Sequence, residues 1–194
     1  VVGLGLIEAI PDTAILAYAD PDDLNGDGIS GKPQLVIAPD YLNYPPGPYG
    51  GKYLGRFGRK AGAILLLQQT VEAYHQDMGI TTDLIPLENY NPLAGGYIDP
   101  VADPEVTGNI LHVVVFYLKT LKPPVSRMQN DPGVIAGRTR FNEIGCNKCH
   151  VNSMQSRFSP VNALAYRQVN LYSDMLLHDM GQELSDNYVE GEVG

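Results

Sequence analysis

The chain has no tryptophan, only 2 cysteines, and only 13 lysines and arginines against 22 acidic residues. Each shortage excludes something. Both cysteines, Cys146 and Cys149, fall in one short motif. That leaves none for a structural disulfide and no second pair to complete a four-ligand zinc site. A net charge of −9 argues against nucleic acid or an anionic membrane surface as partner, because phosphate binding needs clustered Lys and Arg. It favours a soluble protein meeting a basic partner. Long apolar runs are missing too: the longest, Ile110 to Leu118, is far too short to span a bilayer. Val1-Val2-Gly3-Leu4 has neither the basic n-region nor the cleavage site of a signal peptide.

The informative stretch is Cys146-Asn147-Lys148-Cys149-His150, the C-x-x-C-H pattern of c-type haem attachment. On a short helical turn both thiols reach the porphyrin vinyl groups and form thioethers. The following imidazole, His150, then lies under the iron as its proximal ligand. A redox dithiol would open a helix after a strand in a βαβ setting, and no such setting is visible. Covalent haem c is assembled outside the cytoplasmic membrane, so the periplasm or the cell surface is the expected location.

Asn130-Asp131-Pro132 before the motif reads as a helix start, with Asp131 as N-cap and Pro132 at the first helical position. Val134, Gly137, Phe141 and Ile144 then recur on one face. This is the pattern of the first helix of a cytochrome c domain, which packs on a later helix of the same domain.

Upstream, residues 1–19 read as two short helical pieces broken at Pro11. The loop DPDDLNGDGISG places Asp23, Asn25 and Asp27 at alternate positions before Gly28, the opening half of a calcium-binding loop. Gln34 stands where a bidentate Glu would close it, so an irregular Ca2+ site and a plain Asx-rich turn both fit. Helices are expected from Phe57 to Met78, with Gly79 after it, and from Asp103-Pro104 to Pro123-Pro124. The second of these is apolar nearly all round and should be buried, with His112 as a core histidine. His75 and Met78, three apart, could meet one metal but are more often packing residues on such a face, and they are left unassigned. Residues 39–55 and 81–102 are Pro- and Tyr-bearing loops. No strand is evident, and the expected class is mainly α. It comprises a helical region with long loops over 1–125 and a cytochrome c-like haem segment over 126–194.

A sixth haem ligand is sought in LYSDMLLHDM, read as a helix over Leu171 to Met180. On a helix His178 and Met180, two apart, point in different directions. His178 would share a face with Asp174, whose carboxylate could orient the ring. Met180 would align with Leu177 and Leu184 as core. His178 therefore ranks ahead of Met180, with an open sixth site as the remaining alternative.

Seven ordered blocks resemble the bacterial di-haem oxidoreductases, relatives of the di-haem cytochrome c peroxidases. They are GLGLIEAIP, DPDDLNGDGISG, LGRFGRKA, QDMGITTDL, VVVFYLKTLKPP, FNEIGCNKCHV and YSDMLLHDMGQELSD. The resemblance implies two haems on two domains, with Cys146, Cys149 and His150 holding the second. It also implies that this chain is the middle of a longer protein. Two departures stand out: Arg59 replaces a usual aromatic, and Asn152 a usual proline. The functional expectation is one-electron transfer through haem iron within a peroxidase-like enzyme, its partner being a second haem domain or a redox protein. The alternatives are a non-catalytic electron carrier and a calcium-stabilised module in which haem is structural.

Overall fold

Pro11 ends the first helical run, since its ring and missing N–H cannot continue a helix. Two single-turn helices result, α1 (Leu4–Glu8) and α2 (Asp12–Leu16). Ile10, between the two, and Ile15 of α2 are buried to 1% and 0% exposure, each contributing about 1.5–3 kcal/mol. The computed structural model describes residues 2–89, 92–95, 100–185 and 188–189. The remaining elements are β1 (Gly31–Lys32), β2 (Leu35–Val36), β3 (Tyr53–Leu54), α3 (Leu66–Glu72), α4 (Gly108–Thr120), α5 (Pro132–Glu143), β4 (Met154–Gln155), β5 (Gln168–Val169) and β6 (Leu177–His178).

The expectation of a mainly α chain does not hold. Among the described residues helix makes up 32% and strand 11%, in five short α-helices, 3₁₀ and π turns and small antiparallel ribbons joined by long irregular segments. The 21 glycines and 15 prolines explain this, because they interrupt apolar periodicity before helices reach useful length. Three ribbons form, pairing β1 with β6, β2 with β3, and β4 with β5.

Two apolar clusters organise these pieces. Phe57, Ala63, Leu66 and Val115 join α1, α3 and α4. Gly5 of α1 lies so close to α4 that a Cβ would stand 2.2 Å from the Lys119 carbonyl oxygen. Glu8 ties the three helices: it forms an ion pair with Lys119, and its second oxygen accepts from the Leu66 amide at 2.8 Å, capping α3. The second cluster joins Ile10, Ile15 and Leu54 to Val151, Met154, Val169 and Leu176. Segments far apart in sequence thus share one core, and it supports the stretch after the C-x-x-C-H motif.

Several local expectations change. The helix placed from Phe57 begins only at Leu66, because Gly58 and Ala61 take positive φ in a turn that precedes it. It continues as a π turn over Ala73–Asp77, and Gly79 has φ 67 as a C′ residue should. His75 bonds the Leu87 carbonyl oxygen at 2.9 Å, and Met78 is exposed rather than packed. Helix α4 starts at Gly108, five residues after Asp103, and buries only Leu111 and Val115. Ile110, Val113, Phe116, Tyr117 and His112 are exposed, since α1 and α3 cover one side alone. The loop expected over 81–102 lies partly outside the described residues. No helix among the described residues is long and apolar enough to cross a membrane.

Candidate haem-binding cavity

Helix α5 begins as its sequence dictates. Asp131 Oδ1 accepts from the amides of Gly133 at 2.8 Å and Val134 at 3.3 Å. Its end is set by Gly145, at φ 86, where a side chain would be strained. The chain then tightens into a 3₁₀ turn over Cys146–Lys148, with the His150 amide on the Cys146 carbonyl oxygen at 2.9 Å. Side chains three apart on such a turn eclipse, which sets both thiols on one side. Burial first, then the carboxylates of Asp174 and Asp27, push the Cys149 thiol above its ordinary pKa, against the pull of Lys148. A protonated thiol is a poor redox nucleophile.

His150 is oriented by the backbone. Its Nδ1 lies 3.0 Å from the Tyr172 carbonyl oxygen. A carbonyl can only accept, so Nδ1 carries the proton and the Nε2 lone pair is left for a metal. Phe141 braces the ring at a centroid distance of 6.1 Å and meets Tyr172 edge-on.

The segment facing this turn is extended, not the helix that its apolar spacing implies. Tyr172 and Met175 take φ of 52 and 63, which no helix allows, and β6 pairs with β1 in the register Gly31 to His178 and Lys32 to Leu177. In extended chain, residues two apart share a face. His178 and Met180 therefore line the same space, and the expectation that they diverge is wrong. Met180 and Leu184 are exposed by 67% and 70%, so neither belongs to a core.

The contact expected between Asp174 and His178 does occur, for a different reason. Asp174 is 3% exposed. Its amide donates to the Cys149 carbonyl oxygen at 3.0 Å, and its Oδ1 accepts from the Leu176 amide at 3.0 Å. Its Oδ2 lies 2.7 Å from His178 Nε2. The opposite ring nitrogen, Nδ1, is buried with no partner.

Cys146, Cys149, His150, Asp174, His178 and Met180 line one cavity of about 290 Å³. A second, of about 460 Å³, adjoins it at His178 and Met180 and is bordered by Lys32, Arg59 and Lys60. The residues fit a covalently held haem on three counts. The thiols share a side, His150 Nε2 is available, and an unpartnered imidazole nitrogen is buried at a ring that lines the cavity.

The acidic loop is closed by the Asp20 amide on the Gly31 carbonyl oxygen at 3.0 Å. Asp23 and Asn25 both accept from the Asp27 amide, at 3.0 and 2.9 Å, and Asp27 Oδ1 accepts from Ile29 at 3.0 Å. Asp27 Oδ2 pairs with Lys148 Nζ at 3.2 Å, which joins the loop to the C-x-x-C-H turn. Sequence reasoning missed this ion pair and the basic cavity. The only available signal for the cavity was the pair Arg59-Lys60 in an otherwise acidic chain.

A family model described as "Di-haem oxidoreductase, putative peroxidase" matches residues 1–191, and the chain belongs to that family. Haem is thus its cofactor class and oxidoreduction its chemistry. No curated protein and no solved structure matches it.

Proposed function

For this member of the di-haem oxidoreductases, we propose that Cys146 and Cys149 carry one haem c as thioethers, with His150 as proximal ligand. The observation that carries the reading is the Tyr172 carbonyl oxygen at His150 Nδ1, which leaves Nε2 of the motif histidine for iron. Bound there, the haem supplies one-electron transfer, tuned by its axial ligands and surroundings.

The chain's own residues do the rest. Asp174 holds His178 at the same cavity, and Gly31 on the paired strand leaves room for both Leu176 and His178. His178 is the first candidate for the sixth position and Met180 the second. If His178 closes that position, the protein is an electron carrier. If the position opens, peroxide can reach the iron and the protein acts as the peroxidase-like enzyme. The unpartnered His178 Nδ1 favours a ligand role.

Residues 126–194 form the haem-bearing segment in this reading, and 1–125 the region beside it. The second haem of the di-haem pair belongs to a further domain of the same protein or to a redox partner. Covalent haem c places the protein in the periplasm or at the cell surface. Asp23, Asn25 and Asp27 hold a calcium ion in the acidic loop, whose Asp27 reaches Lys148 of the haem turn. Acid–organic extraction tests the core of the proposal. Haem should stay with the denatured polypeptide, and the pyridine haemochrome should show a c-type spectrum. Extractable haem overturns it.

A further inference from the structure

The cavity of about 290 Å³ that holds Cys146, Cys149 and His150 lies just below the range of about 300–1,000 Å³ usual for ligand sites. A tetrapyrrole needs more room, and the adjoining cavity of about 460 Å³ offers it across the shared residues His178 and Met180. Charge separates the two spaces. Lys32, Arg59 and Lys60 border the larger one, with Asp179 as the only carboxylate among the described residues that line it. In a chain of net charge −9 such a group of cations is conspicuous.

The fold builds this arrangement. Register in the β1–β6 ribbon sets Lys32 opposite Leu177, next to His178. Arg59 and Lys60 stand on a turn closed by reciprocal bonds between Phe57 and Ala63, both of 3.0 Å. The turn is tied back to the ribbon side, where buried Gln34 donates from Nε2 to the Lys60 carbonyl oxygen at 3.3 Å. Asp179 Oδ1 already accepts from the Gly181 amide at 2.8 Å.

Haem carries its two carboxylates on the porphyrin edge away from the vinyl positions that cysteines take. A haem attached at Cys146 and Cys149 would therefore direct its carboxylates away from the smaller cavity's thiol end. Resting on the covalent-haem reading above, we infer that the cavity bordered by Lys32, Arg59 and Lys60 receives the haem carboxylates. Carboxylates leaving water need paired cations or donors, and a guanidinium meets a carboxylate with two parallel bonds. Lys32 and Arg59 are exposed at the cavity border, and Lys60 beside them bonds the Tyr188 carbonyl oxygen.

The test uses the full haem-loaded chain and a Lys32→Gln/Arg59→Gln variant. Intact mass first establishes covalent haem in both. Resonance Raman should then show the haem carboxylate bending band shifted to lower frequency in the double variant, and Arg59→Lys should keep it near its original position. The midpoint potential should fall in the double variant, because unneutralised carboxylates stabilise ferric iron. An unmoved band with haem attached overturns the inference and leaves the covalent-haem reading standing. Calorimetric binding of malonate to the loaded wild type, lost in the variant while the band stays put, overturns it in favour of a free carboxylate ligand. Absence of haem from the wild type overturns the underlying reading, and this inference with it.

Discussion

Asp174 Oδ2 lies 2.7 Å from His178 Nε2, while the Asp174 amide donates to the Cys149 carbonyl oxygen. One buried aspartate thus links the C-x-x-C-H turn to the facing imidazole. His178→Ala should change the spin state of the loaded protein. Met180→Leu should leave spin state and stability nearly unaltered, within about 0.5 kcal/mol, because Met180 is an exposed residue. Loss of an iron–sulfur charge-transfer band in Met180→Leu would reverse the ligand order.

Gly31 is the spacing element behind that geometry. An added Cβ would stand 2.8 Å from Leu176 Cδ1 and 3.3 Å from His178 Cε1. Gly31→Ala should therefore cost about 1–3 kcal/mol as overpacking, read as a lower midpoint in denaturant. It should also perturb the haem spectrum as His178 moves. An unchanged midpoint would mean that the ribbon yields freely.

The Cys149 thiol is raised chiefly by burial and next by Asp174 and Asp27. Before haem attachment, its alkylation by iodoacetamide should follow a pH curve displaced upward from that of an unfolded control. The linkage has a definite sign. The unfolded chain releases the thiol proton first, so this group's contribution to stability is intact below the ordinary thiol pKa and is lost as pH rises through the folded value. Coincident alkylation curves for folded and unfolded chains would refute the assignment.

Calcium in the acidic loop should raise thermal stability. A ligand at 100 times its Kd adds about 2.7 kcal/mol, an effect that chelation reverses. Asp23→Asn with Asp27→Asn should abolish the response. If chelation leaves the melting temperature unmoved and metal analysis finds no calcium, the loop is held by its own backbone bonds alone.

Peroxide reduction takes two electrons, and a single C-x-x-C-H would supply one haem on the proposed reading. The chain by itself should turn over hydrogen peroxide much more slowly than the same chain supplied with a second, reduced haem protein. Equal turnover would show that this haem is catalytic without a second.

Sequence alone determined that Cys146, Cys149 and His150 stand at the fixed spacing on which the proposed covalent attachment rests. It also determined the Asp131 cap and the break at Pro11, where the cause lies within a few residues. Residues 171–180 were beyond it. Their apolar spacing reads as a helix, yet the chain there is extended because β6 pairs with β1 nearly 150 residues earlier and Asp174 bonds back to Cys149. Such contacts have no local signature. The exposure of most of α4 was equally hidden, since burial depends on how many neighbours arrive and not on how apolar the helix is. The basic cavity beside His178 exists only because the ribbon and the Phe57–Ala63 turn converge on one place. Tertiary structure therefore decided which side chains share the candidate cavity, and local sequence decided the chemistry that each brings to it.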